Sequence, residues 1–282
     1  MIRGFWRFLT TLYHRTVRQD DCPTLAASIS FYAILSFLPF IILAVSISSF
    51  FVASSEAAFA RIQEFLVQAL PVSTTAALNL VSSTVAQKAV YGIVGLIGLL
   101  WGSMRIFTIL EQAMGRIWRA PAQRAFWESR MVSLISIPLM AVFLLASIAV
   151  TGLISVAKQS AIPILGLSLT ELPGVTRLLT SLLPVFLSTM LFLSAYYLLP
   201  KRWDHLRNAF WGALLAGVLW ETAKLLFDYY IKNFSHLQTI YGSFASLAIV
   251  FLWVYYSSFV VLLGAEFGSL LQEYKREPKT TP

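Results

Sequence analysis

Three ionisable side chains, Glu221, Lys224 and Asp228, interrupt an otherwise apolar stretch of the chain. Their separations of three and four residues place them on one face of an α-helix. An ionisable group at membrane depth is costly, and it typically serves a proton relay or acts as a counter-ion for a substrate. The pattern therefore indicates binding of an anionic group by Lys224 and of a proton by a carboxylate. A purely structural role stays open, in which Lys224 only neutralises the two carboxylates.

Four residues elsewhere are candidates for the same substrate or ion pathway. Glu266 lies near the inner end of the last apolar stretch, where it could bind a cation, pair with arginines of the inner connections or cap the bundle. Tyr32, Ser36 and Pro39 belong to the first apolar stretch. Pro39 is expected to kink its helix, and the carbonyls freed by a kink either line a pathway or are satisfied by serines.

The sequence offers no recognisable catalytic constellation. Its three histidines are widely separated and have no metal-ligand spacing: His14, His205 and His236. The glycines at positions 92, 95, 98 and 102 lie inside an apolar run with no strand before them, so close helix packing is favoured over a phosphate loop. We predict no catalytic residue, no metal site and no cofactor, and we expect that the protein is not an enzyme.

Six long apolar stretches must position these residues. A helix that spans a membrane needs about 20 mainly apolar residues, and six segments qualify: residues 25–52, 90–110, 131–156, 178–199, 206–231 and 243–271. Backbone groups in hydrocarbon must be satisfied within the segment, and these runs lack the alternation of a barrel strand. The predicted fold is an all-α polytopic membrane protein of about six transmembrane helices.

Composition supports a lipid environment. Of 282 residues, 58% are hydrophobic and 12% are charged, whereas about 25% are charged in a soluble domain. We attribute the net charge of +8 to membrane topology and to contact with anionic headgroups at the inner face, and we predict no nucleic-acid partner.

The distribution of Lys and Arg predicts the orientation. Of the 21, fifteen lie in the N-terminal segment, the second-to-third and fourth-to-fifth connections and the C-terminal tail, and five lie in the alternate connections. Basic residues accumulate on the cytoplasmic side, so both termini are expected there. Cys22 would lie at that inner face as a reduced thiol.

The predicted organisation has three parts. Residues 1–23 form a cytoplasmic interfacial amphipathic helix, with packing of that helix on the bundle as the alternative. Residues 24–272 form the six-span domain, which carries an external insertion of two short helices over residues 53–89. Residues 273–282 form a cytoplasmic tail.

Three segments resemble the YihY/BrkB family of bacterial inner-membrane proteins, formerly labelled ribonuclease BN. They are residues 25–39, with Tyr32, Ser36 and Pro39; residues 220–230, with Glu221; and residues 241–266, which end in Gly264-Ala265-Glu266. The resemblance implies six spans and a location in the bacterial cytoplasmic membrane. This chain has Ser30-Phe31 where the family tends to have Ala-Tyr. An RNA hydrolase needs a metal or acid-base cluster that faces water, so the residues do not favour the ribonuclease label.

Two functions from different classes remain. The first is a transporter or flippase-like carrier of an amphipathic or anionic envelope compound or lipid, with Glu221, Lys224 and Asp228 lining the pathway. The alternative is a non-transporting scaffold that holds an envelope protein partner through residues 53–89. Membrane lipids are expected partners in either case, and a homo-oligomer is compatible with both.

Overall fold

A computed structural model describes residues 2–51, 87–120, 173–200, 206–233 and 243–276, together with residues 127, 128, 131, 139, 142, 143 and 146. Within these residues the regular secondary structure is entirely helical. The α-helices are α1 (Ile2–His14), α2 (Cys22–Phe51), α3 (Lys88–Ile117), α4 (Pro173–Leu198), α5 (Leu206–Asn233) and α6 (Ser243–Arg276).

Five of the six predicted spans coincide with α2 to α6, which confirms the all-α polytopic membrane fold. Four segments are long and apolar enough to cross a membrane: Cys22–Leu43, Ala89–Ile117, Leu206–Tyr230 and Ala248–Lys275. A shorter apolar helix covers Leu182–Leu198. Most of the predicted span at 131–156 and nearly all of the insertion at 53–89 lie outside the described residues, so these parts of the prediction stay untested.

The described residues divide into two compact units. The first unit draws on Met1–Thr24, Leu110–Phe227 and Phe259–Pro282. The second unit draws on Leu25–Ile109 and Asp228–Ser258. The boundary falls within α2, α3, α5 and α6, so each of these helices contributes to both units.

The N-terminal segment is not one continuous α-helix. After α1, residues Arg15–Gln19 form a π-helical turn, which Asp20 closes by donating its backbone N–H to the carbonyl of Arg15 at 2.9 Å. Asp21 follows with φ 48°, a left-handed conformation that Asp tolerates better than most residues. This turn redirects the chain into α2 at Cys22.

Helix α1 combines features of both predicted placements. Phe8 packs edge-on against Phe267 and Tyr274 of α6, with ring centroids 5.6 and 5.5 Å apart. Trp6 and Tyr13 are exposed large side chains. One face of α1 thus packs on the bundle, and the binding of its exposed face to anionic headgroups stays a prediction.

Small residues allow close helix packing in the first unit. A Cβ on Gly264 would lie 2.7 Å from Cβ of Ala216 and 2.8 Å from the carbonyl oxygen of Gly212, so α5 and α6 approach there with almost no space between them. Tyr196 of α4 donates a hydrogen bond to the carbonyl of Val261 at 2.6 Å. Close approach of backbones through small residues is typical of helices packed in membranes.

The second unit uses glycines in the same way. A Cβ on Gly98 would lie 2.9 Å from the Pro39 ring, and one on Gly95 would lie 3.0 Å from the Pro39 carbonyl oxygen. A Cβ on Gly102 would overlap the side chain of Ser36. These contacts explain the glycines of α3 as packing positions. Helix α2 continues as one helix through Pro39.

Polar contacts join several of the basic segments within the first unit. Arg15 of the N-terminal segment pairs with Glu273 of α6, and Arg119, just after α3, pairs with Asp20. Lys275 donates to Asn208 at the beginning of α5. The N-terminal segment, the ends of α3 and α6 and the start of α5 therefore lie together, which agrees with a topology that places both termini on one side.

Candidate functional site

An ion pair in α5 is the centre of the candidate site. Lys224 Nζ lies 2.8 Å from Glu221 Oε2, and the side chains are 22% and 16% exposed. Ser188 of α4 donates its hydroxyl to Glu221 Oε1 at 2.5 Å. The carboxylate is therefore held between a lysine of its own helix and a hydroxyl of the neighbouring helix.

The two sides of α5 differ in character around this pair. Ala223 is buried, and the ring of Trp220 packs edge-on against Phe192 of α4 with centroids 5.9 Å apart. Leu225 and Leu226 are largely exposed, and Leu225 lies four residues after Glu221 on the same helical face. The pair thus lies at the border between the side of α5 that packs on protein and the side that faces outward.

The pair lies deep in its helix. Glu221 is fifteen residues beyond Leu206, which is about 22 Å along an α-helix at 1.5 Å per residue. The apolar segment of α5 covers Leu206–Tyr230. If the hydrocarbon core of a membrane coincides with that segment, the pair lies beyond the middle of the core, counted from Leu206.

Asp228 occupies a different setting from the other two predicted residues. It lies one turn beyond Lys224 on α5, it is exposed, and it belongs to the second unit. The structure brings Glu221 and Lys224 together as an ion pair and adds Ser188, which the sequence did not indicate. A role for Asp228 in the pathway stays a prediction.

The remaining predicted residues fall into separate units. Glu266 is fully buried in the first unit. Tyr32, Ser36 and Pro39 belong to the second unit, where Ser36 donates its hydroxyl to the Tyr32 carbonyl at 2.7 Å and Tyr32 packs edge-on against Trp101. The shared pathway proposed for all seven residues is untested.

A buried polar cluster surrounds Glu266 at the end of the unit where the basic segments meet. Arg119 binds Asp20 with two hydrogen bonds of 2.8 and 2.9 Å, and Arg15 binds both oxygens of Glu273 at 2.6 Å. In the sequence, these arginines indicate only the topology. The sequence feature that could have indicated this cluster is Asp20-Asp21, a pair of acidic residues directly before an apolar helix.

Electrostatics in this cluster favour an ionised Asp20. Burial acts to raise the pKa of Asp20, but the hydrogen bonds from Arg119, the neighbouring Glu266 carboxyl group and the charges of Arg119 and Arg15 outweigh it, so the pKa lies below its ordinary value. The bound carboxylate in turn raises the pKa of Arg119. This pair is therefore charged on both sides at neutral pH.

No group of three or more His, Cys, Asp and Glu side chains that could hold a metal is found among the described residues. The Glu221–Lys224 pair and Ser188 offer carboxylate, ammonium and hydroxyl groups for binding charged species.

Most of the chain matches one known protein family. Residues 13–282 match the family described as Virulence factor BrkB. The chain belongs to this family. The BrkB family match extends over the N-terminal π-helical turn and every described helix from α2 to α6.

Curated relatives carry the description UPF0761 membrane protein. One from Alkalilimnicola ehrlichii is 30% identical over 91% of this chain and 56% of its own length. One from Alteromonas mediterranea is 26% identical over 95% of this chain and 88% of its own length. One from Legionella pneumophila strain Philadelphia 1 is 31% identical over 89% of this chain and 58% of its own length. The chain thus spans little more than half of two of these relatives, and no solved structure matches it.

Proposed function

We propose that this protein is a carrier in the bacterial inner membrane for an anionic amphipathic envelope compound or lipid, with the Glu221–Lys224 pair as its charge-binding element. The observation that carries the proposal is the pair itself, which lies deep in a membrane-length helix and is partly accessible. The protein belongs to a family of membrane proteins, which is consistent with this function.

The chemistry follows from keeping the pair neutral. With Glu221 ionised, the two charges of the pair cancel, and an anionic headgroup gains little by approaching Lys224. If Glu221 takes a proton, Lys224 is left positive and binds the anion, so that the site is again neutral. One proton would then accompany each anionic group. Ser188 would hold the Glu221 carboxyl group in place in both states.

Vesicle transport of a labelled lipid tests the proposal. Purified protein is placed in vesicles that contain a fluorescent phosphatidylglycerol, and a membrane-impermeant reductant bleaches the outer leaflet. We expect the wild-type protein to expose the inner-leaflet probe to bleaching, whereas the Lys224→Met, Glu221→Gln double variant exposes only the outer-leaflet probe. A fluorescent phosphatidylcholine, which carries no net charge, is expected to move more slowly.

Lys275→Met is the matched control, because it removes one lysine charge from an exposed contact with Asn208. It should move the probe as the wild-type protein does. Full transport by a stable Lys224→Met, Glu221→Gln, Asp228→Asn triple variant would exclude this helix as the charge-binding element. Movement of neither lipid by the wild-type protein would refute lipid carriage and favour a scaffold.

A stability measurement separates binding from folding. Breaking a buried ion pair costs about 3 to 5 kcal/mol because the remaining charge has no partner. We expect Lys224→Met alone to lower the thermal stability of the detergent-solubilised protein, and the added Glu221→Gln change to restore most of it. A double variant that is stable but inactive supports carriage, and one that is stable and active shows that the pair is structural.

A further inference from the structure

Two carboxyl groups meet in the buried cluster at the inner end of the first unit. Asp20 ends the N-terminal segment and is 4% exposed, and Glu266 of α6 is fully buried. The two carboxyl groups are close enough to interact with one another. Two ionised carboxylates cannot form a hydrogen bond, because each is only an acceptor.

The cationic groups around this contact point mainly to other carboxylates. Arg119 directs both terminal nitrogens to Asp20, and Arg15 directs Nη2 to Glu273, while the buried Nη1 of Arg15 has no hydrogen-bond partner among the described residues. Within the part of the chain that the structure describes, neither oxygen of Glu266 receives a hydrogen bond from any donor. Glu266 is therefore a buried acidic side chain that faces another carboxylate and lacks a donor.

One proton removes this conflict. An ionised carboxylate buried without a partner is so unfavourable that such a group normally becomes neutral. Because Arg119 stabilises the ionised form of Asp20, the proton binds to Glu266. A protonated Glu266 can donate its O–H to Asp20, and the cluster then has no carboxylate without a donor.

We propose that Asp20 and Glu266 form a proton-binding pair, and that its single proton joins the end of the N-terminal segment at Asp20 to α6. When the proton leaves, the two carboxylates repel one another and Asp20 moves away from Glu266, while the contacts of Phe8 and Arg15 with α6 remain. This site shares no residue with the Glu221–Lys224 pair, and it does not depend on the proposed carrier function.

Other charged and titratable groups act on the pair. Arg15 in the π-helical turn and Arg119 beyond α3 are positive charges close to Glu266, and Cys22 lies close enough to interact with both carboxylates. Glu273, two turns further along α6, holds Arg15 in its place. Because both arginines remain charged over the accessible pH range, the proton shared by the two carboxyl groups dominates the response.

The buried Cys22 thiol is a natural reporter of this separation. It is the only cysteine in the chain, and it is fully buried two residues after Asp20. The experiment measures the rate at which a maleimide labels Cys22 in the full-length solubilised protein across neutral to alkaline pH. Each rate is divided by the rate for the unfolded chain at the same pH, which removes the effect of pH on the thiol itself.

We expect protection of Cys22 in the wild-type protein to fall by about tenfold per pH unit above the midpoint, the slope for release of one proton. Glu266→Gln should keep Cys22 protected throughout, because the amide replaces the O–H as a permanent donor to Asp20. Asp21→Asn is the matched control: it removes the adjacent exposed carboxylate, and Asn tolerates the left-handed backbone at this position. It should follow the wild-type curve.

Infrared spectroscopy supplies a second measurement that also works on the wild-type protein alone. A protonated carboxylic acid has its own carbonyl stretch, which shifts when the proton is exchanged for deuterium. We expect this band at neutral pH in the wild-type protein and in Asp21→Asn, and its loss in Glu266→Gln. Absence of the band in the wild-type protein, or a Cys22 protection that does not change with pH, would overturn the proposal.

Discussion

Asp20 shows how a single buried charge is stabilised in this protein. Its side chain is 4% exposed, and burial alone would favour the neutral acid. Arg119 supplies two parallel hydrogen bonds and a positive charge, a geometry that is stronger than a single contact between charged groups. The side chain of Arg119 remains 33% exposed, so solvent weakens the attraction.

This arrangement predicts how stability depends on pH. Because the pKa of Asp20 is lowered in the folded protein, its stabilising effect is complete above the ordinary value of 3.8 and is lost as the pH falls through the lower folded value. Asp20→Asn should therefore be less stable than the wild-type protein at neutral pH by about 2 kcal/mol, below the range for fully buried pairs. The difference should shrink in acid.

Thermal unfolding of the solubilised proteins at a series of pH values measures this effect. Asp21→Asn, which changes an exposed neighbour, should stay close to the wild-type protein at every pH. An equal loss of stability for Asp20→Asn in acid and at neutral pH would show that the charge of Asp20 has no part in it.

Sequence reasoning recovers the candidate site only where its contacts are local. Glu221 and Lys224 are three residues apart, so helix geometry alone predicts that they are neighbours. Ser188 contacts Glu221 from a position 33 residues away, and Arg119 contacts Asp20 from one 99 residues away. No periodicity in one sequence encodes such long-range pairings.

At the scale of elements, the approach of α5 to α6 depends on glycine. Gly264 faces the backbone of Gly212, and Gly268 faces the ring of Trp118. Any side chain at these positions would have to displace main-chain atoms or a buried indole. Such contacts are a principal source of association between helices in lipid, where the hydrophobic effect adds little.

Gly264→Ala tests this packing. Its Cβ would lie 2.5 Å from the Tyr196 hydroxyl oxygen and 2.7 Å from the Ala216 Cβ, so the helices must move apart. We expect a loss of about 1 to 3 kcal/mol, as for other overpacked sites. Gly115→Ala is the matched control, because a Cβ there meets nothing within 4 Å. It should be neutral or more stable by up to about 1 kcal/mol.

Thermal unfolding midpoints of the two variants in detergent provide the comparison. If both substitutions changed stability equally, helix propensity would account for the result, and close packing at Gly264 would not.

Hydropathy predicts the helices better than their ends. The predicted span at 243–271 is observed as α6, but α6 continues to Arg276. The extra turn is mainly polar, and its contacts are those of Glu273 with Arg15, of Lys275 with Asn208 and of the Tyr274 ring with Phe8. An apolar pattern contains no information about such contacts. It gives equally little sign of the π-helical turn at Arg15–Gln19, which joins α1 to α2.

At the scale of the whole molecule, charge and contact agree on topology. The fifteen basic residues of the inner segments predict one cytoplasmic side. Contacts of Arg15, Arg119 and Lys275 bring together the N-terminal segment, the residues after α3, the end of α6 and the start of α5. The charge distribution is a property of the sequence alone, whereas the contacts are a property of the fold.

Reporter fusions test this topology in cells. A reporter that is active only in the cytoplasm should be active when it is fused after residue 18, near residue 120 and after residue 275. A fusion near residue 75 should be active only with a reporter that works outside the cytoplasm. An external C-terminus would contradict both the six-span topology and the contact of the tail with the N-terminal segment.

The length of α6 has a consequence for access from the cytoplasm. Its 34 residues extend about 51 Å at 1.5 Å per residue, against a hydrocarbon core of about 30 Å. Unless α6 tilts strongly, its last turns stand in the headgroup layer and the aqueous phase beyond it. Glu266 lies about 34 Å from the start of the helix. With both termini in the cytoplasm, as the charge distribution predicts, and with the core beginning at the start of α6, Glu266 lies at the cytoplasmic boundary of that core. A proton from the cytoplasm would then reach Glu266 without crossing the hydrocarbon.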